Sequence, residues 1–180
     1  MDIGRYYRAA ATFGAFLETA EKHVELWEST TKRAAVAPEL VERVQEIGAE
    51  RRLLVLLEDW CLDAVSVVPY LAALADAASN LELRVLERDE NPELMDAHLT
   101  NGSRSIPVVM VLDEEGRELG WWGPRPREIQ EWVLGEGQAL PMEERYREVR
   151  RWHARDRGRT ALQEVVSLLE RTRDGVVSMA

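Results

Sequence analysis

Apolar positions divide the chain before any chemistry is considered. Leu53 to Leu57 is an unbroken apolar run, and Ile106 to Leu112 is another that begins at a proline. Runs that are apolar on both faces predict strands in the middle of a sheet covered by helices. Leu81, Leu83 and Val85 alternate with Glu82 and Arg84, which predicts a further strand over Leu81 to Leu86. After an acidic turn at Asp113 to Gly116, Arg117 to Trp122 reads as an antiparallel edge strand. Trp121 and Trp122 are adjacent on it, so one is expected in the core and the other exposed as a contact surface.

Elsewhere the apolar spacing changes to three and four. Phe13, Leu17, Ala20, Val24 and Trp27 share one helical face between about Gly4 and Thr30. A second short helix starts at Pro38, carries Leu40, Val41, Val44 and Ile47, and ends at Gly48. Leu62 to Ser79 predicts a helix bent at Pro69. Glu93 to Leu99 and Glu128 to Gly135 are shorter helices, the latter facing Ile129, Trp132 and Val133 inward, and Ala161 to Leu169 is a last amphipathic one. Between Pro141 and Arg159 arginines alternate with Glu143, Glu144, Glu148 and Asp156, the pattern of a solvated helix.

The resulting order, α-α-β-α-β-α-β-β-α with helical additions, is an α/β layer structure: parallel strands joined by right-handed crossovers and closed by a hairpin. With 180 residues, 46% hydrophobic and 31% charged, one substantial core is expected. The expected single domain divides into an amino-terminal helical extension (1–50), a core (51–137) and a carboxy-terminal helical extension (138–180). No apolar stretch is long enough to span a bilayer and the first residues do not read as a signal peptide. A single cysteine forms no internal disulfide, so the expected location is the cytoplasm. A net charge of −10 argues against nucleic-acid backbones as partners. His23, His98 and His153 make no metal-ligand spacing, and no phosphate-cradling glycine motif is present, so no metal or cofactor is expected.

Candidate chemistry concentrates where the first strand hands over to a helix, at Trp60 and Cys61. Amide hydrogens and the dipole at a helix start favour a thiolate there. Glu58, Asp59 and Asp63 lie within three residues and oppose a second negative charge. The competing reading of Cys61 is a small buried hydrophobe. Trp60 either walls the thiol or covers the strand end, and Asp63 either shuttles protons or stabilises the first helical turn.

Several motifs in register resemble the thioredoxin fold family over about Leu53 to Trp132. Trp60-Cys61 follows an apolar strand, and Pro69 falls eight residues after the cysteine. Asp89-Glu90-Asn91-Pro92 resembles the D-x-N-P turn, and Arg104-Ser105-Ile106-Pro107 the R-x-I-P segment of that family. The W-C-x-D-A turn looks closest to an uncharacterised bacterial thioredoxin-like subgroup with a single cysteine and extra amino-terminal helices. The resemblance implies a three-layer sandwich with a central mixed four-stranded sheet flanked by helices, and a cis bond before Pro107. It also implies that Ile106, beside Cys61, offers backbone to an extended peptide or a glutathione-like backbone. Two departures matter: the second cysteine of C-x-x-C is replaced by Ala64, and the buried acid of the central strand by Val55.

Two functions then compete. One is a monothiol thiol-disulfide oxidoreductase acting through Cys61, with release by a low-molecular-weight thiol or a partner protein. Its site is Cys61 with Trp60, Asp63, Ala64, Ile106 and Pro107. The other is a redox-silent binding or scaffold module, or a homodimer, that keeps the groove around Pro107. A thiol pKa well below the free value favours the first, and one at or above it the second.

Overall fold

The computed structural model describes residues 1–174; residues 175–180, the end of the expected carboxy-terminal extension, lie outside the described residues. Its centre is a mixed five-stranded sheet in the order β1-β3-β2-β4-β5, formed by β1 (Ala11–Thr12), β2 (Arg51–Leu57), β3 (Leu81–Glu87), β4 (Val108–Leu112) and β5 (Glu118–Trp122). β2 runs parallel to β3 and antiparallel to β4, so Val55 is flanked by Val85 on one side and Val109 on the other. Leu53 to Leu57 and Val108 to Leu112 are fully buried, as their unbroken apolar runs predict. Four of the strands match those expected. The fifth, β1, pairs with β3 at Ala11 and Thr12 and is too short to leave a periodic signature.

β1 interrupts what the spacing predicts as one long helix. Instead the segment forms α1 (Ile3–Ala9), β1, α2 (Phe13–Thr19) and α3 (Val24–Arg33). Ala10 and Ala20 adopt extended backbone, Thr12 caps α2 by accepting the Ala15 amide, and His23 enters α3 in a left-handed conformation. Phe13 and Trp27 are buried as expected and pack on Phe16, whereas Val24 is exposed. α4 (Pro38–Gln45) begins with its proline in the first turn.

The longest helix, α5 (Leu62–Ala77), contains Pro69 and packs against α3, α4 and β3. After α6 (Pro92–Asp96) and the β4–β5 hairpin come α7 (Arg127–Leu134), α8 (Met142–Asp156) and α9 (Arg159–Arg171). α8 and α9 both rest on α5. The link between them passes through Gly158, where a Cβ would overlap the Tyr70 ring of α5, so only glycine allows so close an approach. α9 buries Ala161, Leu162, Val165, Val166, Leu168 and Leu169 in the core formed with the sheet and α5. Among the described residues no helix is long and apolar enough to cross a membrane.

Neither tryptophan of β5 is exposed, contrary to expectation. Trp121 is half-buried edge-on to His98, and Trp122 is half-buried with its indole N–H donated to Glu164 at 2.7 Å. The carboxy-terminal helix that covers Trp122 lies some forty residues further along, beyond any local pattern.

Candidate functional site

β2 delivers the chain into the turn Glu58-Asp59-Trp60, and Cys61 then caps α5, its Sγ accepting the Ala64 amide at 3.4 Å. The turn is held from several directions. The Trp27 indole donates to the Asp59 carbonyl at 2.9 Å, and the Asp59 carboxylate accepts the Glu21 and Lys22 amides, also at 2.9 Å. Glu58 is buried and accepts the Asp89 amide at 2.8 Å, fixing the D-E-N-P turn beside the cysteine; burial pushes its carboxyl up. The amino-terminal helices are therefore fastened directly to the backbone carrying Cys61.

Of the six residues expected of the site, the structure sets Cys61 against Ile106 and Ala64, with Trp60, Asp63 and Pro107 next to these along the chain. The Ile106–Pro107 bond is cis. The Cys61 thiol faces this loop and donates to the Ile106 carbonyl at 3.5 Å. Gly123–Pro124 is also cis, and a Cβ on Gly123 would overlap the Pro107 carbonyl oxygen, so the strand leaving the hairpin packs directly on the loop. Trp60 is 44% exposed and stacks under the Arg88 guanidinium, 5.0 Å from the ring centroid.

Cys61 itself is buried, at 7% exposure. Burial, then the charge of Asp63, push its thiol up to about 11, against weaker pulls from the Ala64 and Asp63 amides and from Arg125. Desolvation and a neighbouring carboxylate outweigh the helix start. At neutral pH the group is a thiol, with a thiolate fraction of about one in ten thousand.

Asp63 does more than either expected role. It is half-buried between two partners: Arg125 Nη2 lies 2.6 Å from one carboxylate oxygen, and His153 Nε2 lies 3.2 Å from the other. Burial pushes the Asp63 carboxyl up, but the His153 hydrogen bond and the Arg125 charge overcome this and hold it below the usual carboxylate range. The Arg125 fork also reaches Gln130 at 3.0 Å. A histidine is thus brought to the helical turn of Cys61, which the sequence reading did not expect. His153 stands on α8, expected to be solvated throughout; that helix turns Val149 and His153 inward, one turn apart. Arg125 comes from the loop between Pro124 and Pro126. Signals for both existed: an isolated arginine between two prolines, and a histidine one turn from a valine in an otherwise charged helix.

The place where a buried acid was missing is filled by Val55, fully buried in the sheet. No second thiol exists, and among the described residues no group of His, Cys, Asp and Glu could hold a metal ion. The arrangement can present a peptide-facing loop, an aromatic surface and one guarded thiol.

Comparison with known proteins agrees with this architecture. Solved structures that share the fold include a protein of unknown function from Pseudomonas aeruginosa, 23% identical, with 94% of this chain and 98% of that one covered and a TM-score of 0.74, and an HIV epitope scaffold, 21% identical, with 96% and 99% covered and a TM-score of 0.76. No match is found among curated proteins. A family model described as thioredoxin matches residues 10–152, from β1 into α8. The chain belongs to the thioredoxin family.

Proposed function

We propose that this chain is a single-cysteine member of the family, marked by its Trp60-Cys61-Leu62-Asp63-Ala64 turn, that works as a binding module rather than as a dithiol reductase. Its binding surface is the exposed face of Trp60 and the Ile106–Pro107 loop, and its partner is an extended polypeptide segment that pairs with that loop. The observation that carries this reading is the state of Cys61: occluded, protonated and donating its hydrogen to the Ile106 carbonyl. In that role the sulfur fixes the loop from within.

A second reading, slow monothiol exchange, is favoured by the Ala64 amide directed at Sγ and by the nearby Arg125, both of which support a thiolate. Here Cys61 attacks a disulfide of the partner, one partner sulfur leaves as a thiolate, and an external thiol later frees Cys61. A sulfur of high pKa attacks through a scarce thiolate and is also a poor leaving group, so such mixed disulfides form slowly and persist.

The test pairs Cys61→Ser with Pro107→Ala. Peptides selected on the wild type from a displayed, cysteine-free library should bind Cys61→Ser within a few-fold and Pro107→Ala clearly less. Intact-mass measurement after exposure to hydroxyethyl disulfide at pH 7.5 should show the wild type largely unmodified. Rapid mixed-disulfide formation, with partner binding abolished in Cys61→Ser, would transfer the conclusion to the exchange reading.

A further inference from the structure

Arg125, besides pairing with Asp63, lines a cavity of ≈ 420 Å³ between the loop that leads into Ile106 and the helices α7 and α8. That volume is in the range of small-molecule sites. Its walls mix polar and apolar groups: Thr100 and Ser105 on the loop side, Gln130 and Gln138 opposite, Arg145 from α8, with apolar surface from Val149 and the end of α7. No carboxylate lines it. Arg125 is already neutralised by Asp63. Arg145 forms no ion pair among the described residues, although Arg147 and Arg151 on the same helix do. The cavity therefore holds one uncompensated positive charge among neutral donors and acceptors.

Two further observations point to a ligand. Thr100 Oγ1 and Arg125 Nε are buried without a hydrogen-bond partner among the described residues, and buried polar atoms in that condition are uncommon in folded proteins. The Thr100 and Ser103 amides are spent on each other's carbonyls at 3.0 Å, which takes away amides that a phosphate-binding nest would need. A single free guanidinium among amides, hydroxyls and some apolar surface matches a monoanion that is itself hydrogen-bonding and carries a short carbon chain.

We propose that this cavity binds a small monocarboxylate bearing amide or hydroxyl groups, of the size and chemistry of an acylated amino acid. Arg145 takes the carboxylate, and Gln130, Gln138 and Ser105 read the neutral groups. The cavity adjoins the peptide surface, since Ser105 precedes Ile106 and Arg125 pairs with Asp63, but Cys61 is none of its ligand-reading groups, so it does not depend on the function proposed for Cys61.

Isothermal titration calorimetry on the full chain tests this with three probes: N-acetylglutamine, its uncharged amide, and inorganic phosphate. N-acetylglutamine should bind, the amide about tenfold more weakly, and phosphate no better than the amide. Arg145→Gln should weaken N-acetylglutamine about tenfold, while Arg147→Gln and Cys61→Ser leave it unchanged, with circular dichroism confirming that each variant is folded. No binding of N-acetylglutamine, equal binding of its amide, tighter binding of phosphate, or an indifferent folded Arg145→Gln would each overturn the proposal.

Discussion

Asp63→Asn isolates the electrostatic restraint on the thiol. The substitution keeps shape and removes one negative charge from the helical turn of Cys61, while leaving Arg125 beside it without its counter-ion. A unit charge on the order of 7 Å away, at an effective dielectric of about 20, is worth roughly 2–3 kcal/mol, or about 1.5–2 pKa units. The Cys61 thiol, now at about 11, should fall to near its free value. At pH 7.5 the thiolate fraction then rises by up to about 100-fold. Lower basicity reduces intrinsic nucleophilicity, so the alkylation rate should rise about tenfold. The assay is the rate of iodoacetamide modification by intact mass between pH 6 and 11. Breaking a half-buried ion pair costs less than the roughly 3–5 kcal/mol of a fully buried one but enough that thermal melts must accompany it. Arg125→Gln supplies an independent arm of opposite sign, because removing the cation should slow alkylation further. A folded Asp63→Asn whose thiol still titrates near 11, or higher, would refute the account of why Cys61 is quiet.

Three other outcomes follow from the packing. His98 is buried, with Nδ1 2.7 Å from the Leu94 carbonyl and Nε2 3.0 Å from Glu118. Burial pulls its pKa down, but the Glu118 hydrogen bond and the Leu94 carbonyl raise it on balance. A raised value means the stabilisation is complete below about pH 6.5, the unfolded value, and is lost as pH rises through the folded one. His98→Gln should therefore cost about 1.5–3 kcal/mol at pH 6 in urea unfolding and less at pH 8.5; a cost that grows with pH contradicts the pairing. Gly123→Ala forces a Cβ into the Pro107 carbonyl at a backbone φ of 139° and should cost more than about 3 kcal/mol in chemical denaturation, whereas near-normal stability would mean that this junction is looser than described. Trp27→Phe removes the indole bond to the Asp59 carbonyl and should lose about 2–3 kcal/mol while quickening Cys61 alkylation, since the turn is then less firmly held; alkylation at the wild-type rate would uncouple α3 from the site.

How much of this was legible in the sequence depended on the range of the interactions involved. β2 and β4 announced themselves because a strand buried on both faces must be apolar throughout, Pro69 through its eight-residue spacing from Cys61, and Pro107 through the resemblance of Arg104-Ser105-Ile106-Pro107 to the R-x-I-P segment. The amino-terminal segment misled because Phe13 and Trp27 keep helical spacing across breaks made by Ala10, Ala20 and His23, whose backbone angles leave no trace in periodicity. Asp63 was the furthest from reach. Its meaning depends on Arg125 and on His153, the latter ninety residues away, and such pairings are decided by how α8 and the loop after β5 pack. Acidic residues near Cys61 could be seen to oppose a thiolate. Burial of Cys61 stood as one of two open readings, and the choice between them could not be made there because the exposure of one turn is a property of the whole body.

The two residues of β1 have an effect out of proportion to their number. They occupy the open margin of β3, so on that side the hydrogen-bonding groups at Ala11 and Thr12 meet chain already in place. Unpaired sheet margins are natural templates for another molecule's strand. A second copy of this protein would find that border taken at these positions.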